Sequence, residues 1–151
     1  MSESYENIIT SFPLFQGFTS AGAKMLLDRG EVKTLPGNQT LFKEGDPPAA
    51  VLLVLTGKLD VFVERHGRDM VLTQAGPGAI VGELAVLCGI PRSASVRASG
   101  DAVVLELSSK SFRSLLLSDA FLSERVFRQS LRTLIEKEQS LIESVSKSAA
   151  N

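Results

Sequence analysis

From residue 31 to residue 108 the apolar residues of this chain come in short runs, each ended by a turn signal. The runs are EVKTL, TLFKEG, AVLLVLTG, KLDVFVER and MVLTQAG. Between them stand Pro36-Gly37-Asn38, Gly45-Asp46-Pro47-Pro48, Gly57, His66-Gly67 and Gly76-Pro77-Gly78. In KLDVFVE apolar and polar residues alternate, the pattern of a strand with one wet face. SASVRASG and AVVLELS add two more strands around a turn at Gly100-Asp101. Short strands at regular spacing predict an antiparallel roll, jelly roll or sandwich.

The flanks change period. Residues 1–30 read as helices: Asn7, Ile8 and Ile9 lead to Phe12-Pro13, where proline ends a first helix. Thr19 or Ser20 caps a second, carrying Met25, Leu26 and Leu27 and stopped by Gly30. Residues 109–147 are helical again. Ser108 or Ser109 caps a short helix through Phe112, Leu115 and Leu116, and Ser118 or Asp119 opens a long one. In the long helix Phe127, Leu131, Leu134, Leu141 and Val145 form a heptad stripe interrupted at Glu138. At 1.5 Å per residue it runs roughly 40 Å, and the tail SKSAAN is expected to fray. The whole, 1–151, reads as one mainly β domain with α flanks. It is an antiparallel β-roll of jelly-roll type, with N-terminal helices and a long C-terminal helix.

Composition removes several function classes. Sixteen basic residues stand against 17 acidic ones, so no global positive charge favours nucleic acid. The single histidine, His66, lies in a turn-like stretch. With the single cysteine, Cys88, it makes too small a donor set for a zinc site or a metal-dependent cupin. No G-x-S-x-G elbow and no Walker-type phosphate loop occurs. The expectation is a protein without catalytic residues or bound metal. A lone cysteine fits a reducing compartment. There is neither a signal-peptide pattern nor an apolar stretch of membrane length. A cytoplasmic protein without a membrane partner is expected.

One segment breaks the strand rhythm, PGAIVGELAVLCGIPRSASVRAS, residues 77–99. Gly82-Glu83-Leu84-Ala85-Val86-Leu87 suits a short helix begun by glycine, closed by Gly89 and Pro91, before Arg92-Ser93-Ala94-Ser95-Val96 returns to strand. A helix start exposes N–H groups, which favour an anion. Arg92 can meet that anion with a guanidinium fork, and the Ser93 hydroxyl can add a donor. Glu83 can accept from a sugar hydroxyl. A small phosphate and its sugar would both find partners here.

This segment resembles the phosphate-binding cassette of the cyclic nucleotide-binding domain family. The family pattern is G-E-[LM]-[AG], six residues, then R-[ST or A]-A-x-V. Here it reads Gly82-Glu83-Leu84-Ala85, the six residues Val86 to Pro91, then Arg92-Ser93-Ala94-Ser95-Val96, within a cassette spanning 81–96. Phe42-Lys43-Glu44-Gly45-Asp46 and Val54-Leu55-Thr56-Gly57-Lys58 resemble the family's first strands and glycine turns. The likeness covers roughly residues 12–140. The flanking helices resemble the bacterial cAMP-receptor type, without a helix-turn-helix after the long helix. The resemblance implies that Glu83 accepts from the ribose 2′-hydroxyl and Arg92 pairs with the cyclic phosphate. It implies that Ser93 binds phosphate or base, and that Gly82, Leu84, Ala85 and Ala94 line phosphate and sugar. Val81 stands where many members carry an aromatic residue or isoleucine, at a position that packs inward.

The resemblance gives the long helix two roles. As a core and dimer helix it buries Phe127, Leu131, Leu134 and Leu141. As a lid it brings Leu134, Lys137 and Glu138 near the base, where Glu138 either receives purine N–H groups or points to solvent. The implied function is a non-enzymatic sensor that binds cAMP and signals by moving this helix. The alternatives are a cGMP-selective sensor and a dimerisation module with an inactive pocket. A homodimer through the long helix is expected. The output comes either from this chain alone or from an effector domain beyond residue 151.

Overall fold

The computed structural model describes residues 4–150, with side chains described for residues 4–147. Two four-stranded antiparallel sheets face each other. One has the order β1 (Glu31–Leu35), β8 (Ala102–Ser108), β3 (Ala50–Thr56), β6 (Ile80–Val81). The other has the order β2 (Thr40–Phe42), β7 (Ser95–Ala98), β4 (Leu59–Arg65), β5 (Arg68–Ala75). Helices α1 (Tyr5–Ser11), α2 (Ser20–Arg29), α3 (Glu83–Cys88), α4 (Ser109–Ser118) and α5 (Ala120–Ala150) surround them, with a 3₁₀ turn at Pro13–Phe15. This is the β-roll of jelly-roll type that the strand spacing predicts.

The first sheet is a wall shared by two cores. In β3 every second residue serves a different side: Leu52 and Val54 pack between the sheets, while Val51, Leu53 and Leu55 face the helices. β8 divides likewise, with Val104 inward and Leu105 and Leu107 toward the helices. That explains why AVLLVLT has no polar alternation: a strand covered on both faces needs apolar residues on both. The helical core adds Ile9, Phe15 and Leu26, Val86 of α3, Phe112 of α4 and Leu122 and Val126 of α5.

The predicted wet face of β4 is not wet. Leu59, Val61 and Val63 do face the other sheet. Asp60 and Phe62, on the outer side, are each only 9% exposed. Arg97 covers both, its guanidinium 4.3 Å from the Phe62 ring centre and 3.4 Å from Asp60 Oδ2. The β4–β5 hairpin turns on His66 and Gly67, both at positive φ (56° and 73°), as a tight primed turn requires.

The caps follow the sequence. Thr19 and Ser108 accept the N–H groups of Gly22 and Ser111, and Asp119 accepts that of Leu122. The tail expected to fray from Ser146 continues as helix to Ala150. Asn151 lies outside the described residues. Among the described residues no helix is long and apolar enough to cross a membrane.

The stripe on α5 corrects the reading of that helix as a core element. Of its apolar residues, only Leu122 and Val126 are buried among the described residues. Phe127 is 63% exposed, Leu131 54% and Leu134 47%, and Leu141 and Val145 are exposed as well. The face turned toward the roll beyond Val126 is polar: Gln129, Ser130, Thr133, Lys137, Ser140 and Ser144 are its buried or half-buried residues. Four hydrogen bonds fasten it, the longest from Gln129 Nε2 to the Gly78 carbonyl at 3.4 Å. Gln129 Oε1 accepts from the Ile80 N–H at 2.6 Å, Glu136 accepts from the Thr73 hydroxyl at 3.0 Å, and Ser140 donates to the Leu72 carbonyl at 2.7 Å.

Candidate functional site

β5, β6, α3, the start of β7 and α5 enclose a cavity of about 680 Å³, counting the part open to solvent. All seven expected cassette residues line it: Gly82, Glu83, Leu84, Ala85, Arg92, Ser93 and Ala94. Gly82 caps α3 in the left-handed region, φ 83°. A Cβ there would sit 2.5 Å from Arg92 Nη1 and 3.2 Å from Phe42 Cζ, so glycine is needed for both conformation and space. Gly82 has no side chain to cap α3, and Glu83, Leu84 and Ala85 of its first turn line the cavity.

Arg92 is 5% exposed. Its Nη1 donates to the Gly82 carbonyl at 2.7 Å, and its Nη2 donates to the Ala50 carbonyl. Its guanidinium lies 3.9 Å from the centre of the Phe42 ring. Nε has no hydrogen-bond partner. Burial pushes the guanidinium below its usual value, against the pull of Asp46, Glu83 and Glu106. An arginine nevertheless stays protonated. The site thus holds a buried positive charge fixed by neutral carbonyls, with Nε unpartnered.

Glu83 is 5% exposed. Burial raises its pKa, and its own backbone N–H, the nearby Ser130 hydroxyl, Lys137 and Arg92 pull the other way. The cavity therefore presents donors for an anion at one end and a carboxylate acceptor beside them.

Of the three helix residues expected over the base, Lys137 lines the cavity. Leu134 and Glu138 do not line it and are exposed. Their neighbours Thr133 and Glu136 take those places. Lys137 brings a second basic side chain to the cavity besides Arg92. Phe42, from the stretch Phe42 to Asp46, also lines the cavity, as do Thr73 and Gln74, which no motif marks. Thr133 and Lys137 had a signal: with Ser130 they repeat at three and four residues, a polar stripe beside the apolar one.

The family model described as the cyclic nucleotide-binding domain matches residues 32–119. The chain belongs to this family. The cyclic nucleotide-binding domain is 29% identical over 133 residues to a cAMP-dependent protein kinase regulatory subunit from Colletotrichum orbiculare. The match covers 88% of this chain and 34% of that protein. It spans about a third or less of the length of the curated relatives it matches. Among solved structures it is similar to a cyclic nucleotide-binding domain from Methylobacillus flagellatus. There the TM-score is 0.68 at 28% identity, over 95% of this chain and 82% of the other. It is also similar to the regulatory domain of Toxoplasma gondii PKA solved with cAMP. That match has a TM-score of 0.62 at 26% identity, over 73% of this chain and 42% of the other.

Proposed function

We propose that this domain is a non-enzymatic cAMP sensor. The observation that carries the reading is the Arg92 guanidinium: buried, charged, held by the carbonyls of Gly82 and Ala50, and left with an unpartnered Nε. A buried charge of this kind is costly unless an opposite charge meets it. A cyclic phosphate supplies one negative charge of the right size. It also meets the free N–H groups at the start of α3. Glu83 then accepts from the ribose 2′-hydroxyl, and Ser93, at the exposed edge of the cavity, adds a hydroxyl to the phosphate. Thr133, Glu136 and Lys137 are the groups nearest for the base.

Adenine is favoured over guanine by the likeness to a cAMP-dependent kinase subunit and to a regulatory domain solved with cAMP. The polar inner face of α5 supports a signalling role, because hydrogen bonds to Ile80, Thr73 and Leu72 can be exchanged for others with the ligand. A nucleotide with different affinity for two positions of α5 would shift it between them. The lone cysteine, Cys88, is exposed and unpaired, in keeping with a cytoplasmic home. Calorimetry of the protein with cAMP and with cGMP tests the reading. Saturable binding of cAMP is expected, tighter than that of cGMP. Tenfold tighter cGMP would reverse the ligand, and no binding of either would leave the pocket inactive.

The outward face of α5 favours a second reading alongside the first. Phe127, Leu131, Leu134, Leu141 and Val145 stand at alternating heptad spacing and are exposed together. A second copy of the same helix covers such a stripe symmetrically, with Glu138 weakening the middle. Light scattering should report a homodimer, and Leu134→Glu should return it to monomer. A parent that stays monomeric at high concentration with and without cAMP would rule the homodimer out.

A further inference from the structure

The inference rests on the nucleotide reading above and concerns a residue outside both the cassette motif and the cavity lining. Ser130 lies on the inward face of α5 and is 4% exposed. A serine or threonine inside a helix commonly turns its hydroxyl back to the carbonyl four residues earlier. Thr133 does so toward Gln129, and Ser140 toward Glu136, each at 3.0 Å. Ser130 does not: its buried Oγ has no hydrogen-bond partner. It stands on the same face of α5 as Thr133 and Lys137, which line the cavity with Glu83, and its hydroxyl favours the charged Glu83 carboxylate without a formed hydrogen bond.

We propose that Ser130 is a positioning residue for the nucleotide, donating to one oxygen of Glu83 so that the other is held to accept the ribose 2′-hydroxyl. A small movement of α5 toward the cassette completes the bond. The group that grips the sugar and the helix that closes the site then share one hydrogen bond. Ribose binding draws the helix in, and by reciprocity a docked helix tightens ribose binding. The charged groups around the Glu83 carboxylate are Arg92 from the cassette and Lys137 from α5, both attractive, with Glu136 of α5 lining the same cavity.

The test is calorimetry with cAMP from about pH 5 to about pH 8, spanning the range above the ordinary glutamate pKa. It compares the parent with S130T, S130V and S130A. S130T keeps the hydroxyl and should bind like the parent. S130V has the same shape without it, and should bind about tenfold more weakly at neutral pH. S130A should do the same, so a shared loss cannot come from bulk. Both should also lose affinity at a higher pH on acidification, because the charged form of Glu83 has lost a donor. With 2′-deoxy-cAMP the difference between S130T and S130V should nearly vanish. Equal affinity and equal pH profiles for S130T and S130V would overturn the proposal, as would a loss in all three variants with the profile unmoved. A parent that binds no cyclic nucleotide overturns the binding reading itself. A parent that binds, and loses affinity on Arg92→Ala but not on S130V, overturns only the role of Ser130.

Discussion

Two arginines close together in sequence are handled in opposite ways. Arg92 and Arg97 each stack on a phenylalanine ring, Phe42 at 3.9 Å and Phe62 at 4.3 Å. Arg97, on the outer face of the second sheet, meets Asp69 at 2.6 Å and Asp60 at 3.4 Å. These carboxylates raise its pKa, Asp69 most strongly, and they neutralise its charge. Arg92, in the cavity wall, has only carbonyls as hydrogen-bond partners, and burial lowers its pKa. Stacking and hydrogen-bond number alone would not tell these residues apart. What separates a site from a strut is whether the partners cancel the charge. Carbonyls orient a guanidinium and leave its charge available, whereas a pair of aspartates uses it up.

The largest effect should come from Arg92→Ala. It removes a charge-assisted contact worth roughly 1.5–3 kcal/mol, so cAMP affinity should fall at least about tenfold while the fold survives. Calorimetry and a melting curve on the same sample check both halves. Binding as tight as the parent's would erase the distinction between the two arginines.

Arg97→Ala should show the converse. It leaves Asp60, itself largely buried, without its cation, at a cost of about 1–2 kcal/mol. That is a fall of about 2–6 °C in melting temperature for a chain of this length. Affinity for cAMP should stay within about twofold of the parent's. A variant that melts normally but binds poorly would place Arg97 in the site and Arg92 in the frame.

The smallest effect concerns Glu83 in the nucleotide-free protein. Its pKa in the fold is raised above the usual value of 4.5, chiefly by burial. The folded state therefore holds the proton more tightly than the unfolded one. The cost of the buried charge is absent below the unfolded value, grows as pH rises through the folded one, and is complete above it. Glu83→Gln removes that cost. At neutral pH the variant should melt about 2–4 °C above the parent, about 1 kcal/mol, and the gap should close on acidification toward pH 4.5. A lower melting temperature at neutral pH would mean that the charge of Glu83 serves the fold. Site groups would then not carry the tension seen at Arg92.

Much of this is legible in the residue pattern alone. The strand runs, the turn residues and the capping Thr19, Ser108 and Asp119 act through neighbours a few residues away. The cassette was legible for the same reason: a glycine-started helix, a fixed spacer and an arginine form a local unit. The wet face of β4 was misread because Arg97 reaches across from β7 to cover it. Alternation shows which side of a strand faces the core and nothing of what lies over the other side. The inner face of α5 departs from the pattern because apolar periodicity does not say which side of a helix packs on the roll.

The amino-acid sequence by itself determined the roll, its flanking helices and the cassette from Gly82 to Val96, because periodicity, turns and short spacings are written in contiguous residues. Only the tertiary structure decided that the Arg92 guanidinium would rest on the carbonyl of Ala50 and the ring of Phe42, both distant in the chain. It alone decided that α5 would turn Ser130, Thr133 and Lys137 inward and leave its apolar stripe outside. The physical reason is that a hydrophobic stripe records that a face is to be covered, not by what. A helix lying over a cavity that holds Arg92 and Glu83 can turn polar residues toward the roll, and its apolar face then lies outside.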